Sequence, residues 1–255
     1  MLFDTVLYIG VDTSGGRKPF SYAALDQTGK LVALNSGEIE DVLGFIGGLP
    51  GAVVAVNAAH KPSRGLVRQD NIRQSLPPLR ISGRSLDMRL SEHILREHGI
   101  NISMTPSKKE LCSGWVQSGF EFYKQIEGLG FIQHPDTNAK FQFLETHPHA
   151  CFCSLLGQNP LPRPSLEGRL QRQLILYEQE IDIRDPMDFF EEITRHKLIR
   201  GILPMDMIYS SEELDAIAAA NTAFVAAKHP EQTLKVGDPD EGQITLPVIQ
   251  LKAKY

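Results

Sequence analysis

The first sixty residues alternate short apolar runs with turn residues, a pattern that predicts β-strands around one short helix. Residues 5–12 form an apolar run that ends in Asp12, which is typical of a strand buried on both faces. Residues 21–26 and 31–37 also have strand character, and a Gln-Thr-Gly-Lys turn joins them. These three segments therefore predict an antiparallel meander.

A short helical pattern then leads back to the predicted sheet. Apolar residues recur at helical spacing over 39–48, and the pattern ends at two glycines. Residues 52–59 form another apolar strand. Because a strand, helix, strand order usually makes a right-handed crossover between parallel neighbours, we predict a mixed α/β sheet.

The remainder of the chain is mainly helical. Residues 60–85 show no clear period and predict a long loop. Strands are predicted over 141–147 and, as a short edge strand because of Pro247, over 244–251. Helical patterns cover residues 86–98, 113–128, 165–180, 186–199 and 211–228. No repeat or linker divides the chain, so we predict a single domain over 1–255 with a helical insertion at about 155–205.

Composition limits the class of protein. The 255 residues are 42% hydrophobic and 22% charged, which excludes collagen-like and disordered chains. A net charge of −5 argues against a wholly basic nucleic-acid coat protein. Three cysteines indicate a reducing compartment, and neither a signal peptide nor an apolar membrane span is recognisable. We expect a cytoplasmic protein that does not bind membranes.

Three acidic residues occupy positions suited to metal chemistry. Asp12 ends the first strand, Glu145 lies late in a second strand, and Asp215 begins an alanine-rich helix. Alanine lets a helix approach a sheet closely, which would bring the three carboxylates together. Mg²⁺ binds a few carboxylates, and a pair of ions catalyses phosphodiester cleavage. Taken alone, each acid is better explained without a metal: Asp12 as a turn residue, and Asp215 as an acid at the positive end of a helix.

Six sequence blocks resemble those of a known family and lie in the same order. The blocks are YIGVDTSG (8–15), VAVNAAHKPSRG (54–65), FLETHPHACF (143–152), GRLQR (168–172), LDAIAAANTA (214–223) and GDPDEGQITLP (237–247). The chain resembles the domain-of-unknown-function family DUF429, predicted nucleases of the ribonuclease H-like superfamily. The resemblance implies a five-stranded mixed sheet with helices on both faces. It also implies that Asp12, Glu145 and Asp215 are catalytic ligands of Mg²⁺ or Mn²⁺ in the cleavage of DNA or RNA.

One position departs from the family pattern. Asn57 stands where the family usually has an aspartate, and an amide brings an oxygen ligand but no negative charge. Asn57 is therefore a weak fourth ligand, and the departure puts a second metal ion in question. Two alternatives to a nuclease stay open: a catalytically impaired module that binds nucleic acid or phosphate, and a hydrolase of a small phosphorylated metabolite.

A basic segment follows the strand that ends at Asn57. Residues 60–96 contain three acids and eight basic residues: Lys61, Arg64, Arg68, Arg73, Arg80, Arg84, Arg89 and Arg96. We predict that Lys61, Arg64, Arg68 and Arg73 contact the phosphate backbone of nucleic acid. The alternative is a surface loop whose arginines pair with acids elsewhere.

His147 is a candidate auxiliary residue, as a metal ligand or a proton shuttle, because it follows Glu145 closely. A structural role at the start of a helix is the alternative. The glycine patterns of dinucleotide-binding and P-loop proteins are absent from the sequence. Two-domain ATPases built on a similar sheet need a duplicated domain, and no internal repeat is present.

Overall fold

The computed structural model of the chain describes residues 5–13, 19–75 and 87–255. The strands in these ranges are β1 (Leu7–Asp12), β2 (Phe20–Leu25), β3 (Leu31–Gly37), β4 (Ala52–Asn57), β5 (Ile132–Gln133), β6 (Phe141–Thr146), β7 (Leu234–Asp238) and β8 (Gly242–Leu246). The helices are α1 (Ile39–Gly47), α2 (Asp70–Ser75), α3 (Leu90–Glu97), α4 (Gly114–Gly128), α5 (Pro148–Leu156), α6 (Leu166–Tyr177), α7 (Asp188–Glu191), α8 (Arg195–Ile199) and α9 (Ser211–Lys228).

The strands form one mixed sheet in the order β3-β2-β1-β4-β6-β8-β7, and β5 pairs with β6. β1, β2 and β3 are antiparallel neighbours, as the meander prediction requires. α1 then leads to β4, which is parallel to β1, and β6 is parallel to β4. The predicted mixed α/β sheet is confirmed. Because β1, β4 and β6 run in the same direction, their carboxyl ends lie at the same edge.

The predicted number of five strands is wrong, because the sheet has eight. β5 is only two residues long, and β7 and β8 form an antiparallel hairpin that extends the sheet beyond β6. The backbone amides of Asp240 and Glu241 donate to Asp238 in the turn of this hairpin, and Gly242 then has a φ of +117°. β8 lies between β6 and β7, so the strand predicted near the C-terminus is not at the edge.

α9 packs directly on the central strands of the sheet, with very little space between the two backbones. Its bounds match the predicted helix, and the Ser210 hydroxyl and the Glu213 carboxylate form a capping box at its start. Its small side chains allow the backbones to approach: a Cβ placed on Gly10 of β1 would lie 2.0 Å from the carbonyl oxygen of Ala216. The spacing between β1 and α9 is therefore fixed by residues that have little or no side chain.

The two faces of the sheet are covered by different helices. Leu7, Ile9 and Val11 of β1 pack on the face covered by α1 and α4. The alternate residues of β1 face α9, and residues of α5 and α6 join the same cluster. Successive residues of a strand thus belong to separate apolar clusters on opposite faces of the sheet. Polar side chains at the carboxyl ends of the strands therefore meet only when they lie on the same face.

Some helical segments differ from the sequence prediction. The predicted loop over 60–85 contains α2 and a 3₁₀ turn at Leu66–Arg68. The helix predicted over 186–199 consists of two short helices, α7 and α8. Together with α6 they lie in the segment predicted as an insertion. In the ranges given above, no helix is both long enough and apolar enough to cross a membrane.

Candidate functional site

Asp12 and Asn57 end neighbouring parallel strands at the same level. The two residues are partners in the β1–β4 register, and the Asn57 Nδ2 donates to Asp12 Oδ1 at 2.6 Å. The Asp12 side chain is completely buried. It lies on the same face of β1 as Gly10, two residues earlier, and therefore faces α9. Asn57 holds this carboxylate in a fixed orientation.

Asp215 meets Asp12 from the facing helix. It follows the capped first turn of α9 and lies one residue before Ala216, whose carbonyl approaches Gly10. The side chain is buried, and repulsion by the Asp12 charge adds to that burial to raise the pKa of Asp215 to about 7. The structure thus brings together two of the three predicted acids.

An arginine from a distant segment contacts both carboxylates. Arg163, in the loop between α5 and α6, donates from Nε to Asp215 Oδ2 at 2.7 Å, and its Nη2 lies 3.8 Å from Asp12 Oδ2. Its Nη1 lies 3.6 Å from Glu212, in the first turn of α9. The neighbouring carboxylates raise the pKa of Arg163 despite its partial burial. Its guanidinium is therefore the cation of the Asp12–Asp215 pair.

Glu145 is not part of this group of residues. It pairs with Val56 in the β4–β6 register, one position before the level of Asn57. Phe143, two residues earlier on β6, packs on the face covered by α4, so Glu145 points away from α9. The structure therefore places Glu145 on the opposite face of the sheet from Asp12.

The Glu145 carboxylate has its own cation, Arg89. Both Nη atoms of Arg89 donate to Glu145, one of them at 2.8 Å, and the His60 amide donates to the same carboxylate at 3.0 Å. Arg89 Nε also donates to Glu92 at 2.9 Å. All three charged side chains are buried, and the two carboxylates raise the pKa of Arg89 above its ordinary value. Such a network fixes the segment before α3 against the sheet.

Three of the predicted phosphate-binding residues, Lys61, Arg64 and Arg68, lie in the segment that follows the carboxyl end of β4. Lys61 Nζ donates to the Asp240 carbonyl at 3.4 Å, Arg64 pairs with the Asp240 carboxylate at 3.2 Å, and Arg68 pairs with Asp87 at 3.2 Å. The two arginine side chains are more than half exposed. Arg73 lies in α2, and its side chain is outside the described part of the chain, as are Arg80 and Arg84.

His147 is the residue before α5 and borders a cavity of about 10 Å³ that Arg89 and Glu145 also line. Burial, with contributions from His149 and Arg89, lowers the pKa of His147 to about 3. Its imidazole is therefore neutral at physiological pH. Among the described residues, its buried Nδ1 has no hydrogen-bond partner.

The Asp12–Asp215 pair and the Glu145–Arg89 network contain four charged residues that are not among the predicted site residues: Arg163, Glu212, Arg89 and Glu92. Arg89 was counted only as part of the basic segment. Arg163 lies more than 50 residues from Asp215 in sequence and has no periodic neighbours that would mark it. Glu212 is the exception, because a residue three positions before Asp215 shares its helix face.

The structure brings together two of the three carboxylates that were predicted to hold a metal ion. Across residues 5–13, 19–75 and 87–255, no three His, Cys, Asp or Glu side chains form a ready group of ligands. Asp12 and Asp215 nevertheless suit Mg²⁺, which commonly takes one or two carboxylates and completes its shell with water and substrate phosphate. The residues present therefore fit one ion of this kind.

Comparison with family models agrees with the resemblance seen in the sequence. The model of the DUF429 family, described as proteins of unknown function, matches residues 10–241. The chain belongs to the DUF429 family. Searches of curated proteins and of solved structures gave no match. The matched range of this DUF429 chain includes Asp12, Arg163 and Asp215, so the acidic pair and its arginine lie within the family domain.

Proposed function

We propose that this protein is a divalent-metal-dependent phosphodiesterase that hydrolyses nucleic acid and has a ribonuclease H-like fold. The observation that carries the proposal is the Asp12–Asp215 pair, two buried carboxylates that both lie within 4 Å of the Arg163 guanidinium at the carboxyl edge of parallel strands. Burying two like charges side by side is unfavourable unless a cation lies between them. A site with this composition is suited to cation binding.

The strand arrangement supports the ribonuclease H-like part of the proposal. β1, β2 and β3 form the antiparallel meander, and β4 and β6 add the parallel strands, which together make the expected five. β5, β7 and β8 are additions to this set. Helices cover both faces, and α9 brings an acid to the end of the first strand.

The chain's own residues would prepare the site for Mg²⁺ or Mn²⁺. Asp12 and Asp215 would hold the ion, and the Asn57 amide fixes the orientation of Asp12. Gly10 sets the distance between the two carboxylates, because it lets α9 lie against β1. A bound divalent cation would supply positive charge that stabilises phosphate oxygens during hydrolysis. Glu145 would support the sheet edge through Arg89 and would not contact the ion.

Nucleic acid is the favoured substrate because cationic side chains lie in the loop after β4, the strand whose last residue, Asn57, donates to Asp12. Lys61, Arg64 and Arg68 lie in the loop after β4, and both side chains of the Arg64–Asp240 ion pair are more than half exposed. Exposed ion pairs contribute little to stability, so a phosphate backbone can replace them at low cost. Contacts of this kind would bind phosphates without reading base sequence.

The test is cleavage of fluorescently labelled single- and double-stranded DNA and RNA in Mn²⁺, Mg²⁺ or EDTA. We expect Mn²⁺- or Mg²⁺-dependent cleavage that Asp12→Asn and Asp215→Asn abolish. Asp188→Asn, an isosteric change at an exposed position of α7, is the control and should retain activity. Metal-dependent cleavage that survives Asp12→Asn would overturn the proposal. Salt-sensitive binding without cleavage would select the binding module instead, and hydrolysis of phosphorylated metabolites alone would select the third function.

A further inference from the structure

The backbone of Arg163 accepts a hydrogen bond from the start of α9, whereas the Arg163 side chain is partly exposed to solvent. The Ser211 hydroxyl donates to the Arg163 carbonyl at 3.0 Å, which ties this loop to the start of α9. Arg172 Nη1 donates to the Leu161 carbonyl at 2.8 Å from the α6 side. The Arg163 side chain is 39% exposed. The loop is therefore anchored by hydrogen bonds that do not involve the Arg163 guanidinium.

The Arg163 guanidinium lies against the two carboxylates that would hold a metal ion. It makes one well-formed hydrogen bond, from Nε to Asp215. The Nη2 distance to Asp12, 3.8 Å, is too long for a second hydrogen bond, and among the described residues this buried nitrogen has no hydrogen-bond partner. A divalent cation would offer both carboxylates more charge at shorter distance. Arg163 is therefore a counter-ion with an incomplete set of contacts.

We infer that Arg163 is a built-in competitor of the metal ion: it neutralises Asp12 and Asp215 in the metal-free protein and must leave before an ion binds. The inference rests on the proposed function, because it concerns the same two carboxylates. It assigns Arg163 a regulatory role in metal affinity. In this role the Arg163 guanidinium stays paired with the two carboxylates at low metal concentration and prevents metal binding.

The competition is tested by calorimetric titration of Mn²⁺ into the natural chain and into Arg163→Met, which keeps the aliphatic stem and removes the charge. Arg163→Met should bind Mn²⁺ about tenfold more tightly, since one positive charge near both ligands is lost. Arg163→Lys should have an intermediate affinity, because it keeps the charge but loses the planar fork. Arg195→Met, at an exposed position of α8, removes the same charge elsewhere and should leave the affinity unchanged.

The thermal midpoint provides a second readout that does not depend on activity. In EDTA, Arg163→Met should unfold at lower temperature than the natural chain, and saturating Mn²⁺ should raise its midpoint by more than it raises that of the natural chain. Asp12→Asn, alone and combined with Arg163→Met, shows whether the bound ion is at this site.

Two results would overturn the inference in distinguishable ways. Mn²⁺ binding that needs Asp12 but is equal or weaker in Arg163→Met would disprove the competition and leave the proposed metal site intact. Mn²⁺ binding that is insensitive to Asp12→Asn in both backgrounds would remove the metal site itself, and the competition with it.

Discussion

Asp12 is the last residue of β1 and Glu145 the last but one of β6, a strand of the same parallel set, yet their carboxylates lie on opposite faces of the sheet. Asp12 is level with Asn57 and faces α9, whereas Glu145 is level with Val56, one residue earlier, and faces Arg89. Side chains alternate along a strand, so an offset of one residue is enough to separate them. Two acidic groups of different character result: the Asp12–Asp215 pair and the buried Arg89 network.

Glu145→Gln should therefore act on stability and not on metal binding. The change removes one of the two carboxylates that surround the buried Arg89 guanidinium, and we expect a loss of about 3 kcal/mol in the free energy of unfolding. Urea unfolding measures the loss, and Mn²⁺ affinity should stay within about twofold of the natural value. Lys197→Met breaks the more exposed pair with Glu192 and should cost less than about 1 kcal/mol. A stable Glu145→Gln protein with weakened Mn²⁺ binding would contradict this assignment.

Gly10→Ala should separate α9 from the sheet. The added Cβ would lie 2.0 Å from the Ala216 carbonyl oxygen and 2.2 Å from the Ala220 amide nitrogen, so backbone atoms must move. We expect a loss of about 1–3 kcal/mol in the free energy of unfolding, and weaker Mn²⁺ binding because Asp215 moves with the helix.

Gly44→Ala is the matched control for this change. Gly44 is exposed in α1, and a Cβ there would meet no described atom within 4 Å. The same substitution should stabilise the protein by about 0.5–1 kcal/mol. Equal effects at Gly10 and Gly44 would show that close contact between β1 and α9 does not position Asp215.

Asn57→Asp should lower the stability of the metal-free protein and raise its affinity for Mn²⁺. An ionised aspartate cannot donate the hydrogen bond that the Asn57 amide gives to Asp12, and it adds a like charge beside it. In EDTA we expect a loss of about 1–3 kcal/mol in the free energy of unfolding. In saturating Mn²⁺ the variant should recover most of that loss, because it binds the ion more tightly. Thermal unfolding under both conditions decides, and a loss of stability that Mn²⁺ does not reduce would contradict the prediction.

Acid should destabilise the protein through five histidines that are buried or partly buried. Burial lowers the pKa of His60, His93, His134, His147 and His149, to about 4 for His134 and about 3 for His147. Between a lowered native pKa and the ordinary value of about 6.5, the unfolded chain binds more protons than the native one. Stability from these groups is therefore fully present above pH 6.5 and decreases as the pH falls below it.

His147→Gln should make the free energy of unfolding depend less steeply on pH below pH 6.5. Relative to the natural chain, its slope between pH 6.5 and 4 should be smaller by up to about 1.4 kcal/mol per pH unit. His196→Gln, at an exposed position of α8, serves as the control. Urea unfolding across this pH range gives both slopes, and identical slopes for His147→Gln and the natural chain would show that His147 titrates normally.

Much of the fold is predictable from local patterns. The strands up to Asn57 and the helix α9 were predicted to within about two residues at each end, because apolar runs, turn residues and a capping box mark them. β5 and β7 were not predicted, since two residues carry no period and β7 is a five-residue strand that contains Gly237. The patterns therefore predict six of the eight strands, and the five strands implied by the family resemblance are three too few.

The acidic site was predictable only in part. Asp12 and Asp215 could be placed together because alanines in α9 indicated close packing on the first strand. The register of β6 against β4 depends on long-range packing, so the sequence did not reveal that Glu145 faces the other side. The same limit applies to Arg163 and Arg89, whose partners are distant in sequence.

Asp12 and Asp215, and not Glu145, should bind one divalent ion. Electron paramagnetic resonance of free Mn²⁺ counts the ions bound to the natural chain, Asp12→Asn, Asp215→Asn and Glu145→Gln at equal protein concentration. We predict one ion for the natural chain and for Glu145→Gln, and strongly weakened binding for each of the two aspartate variants. One ion bound equally well by all four proteins, or lost only in Glu145→Gln, would contradict the claim.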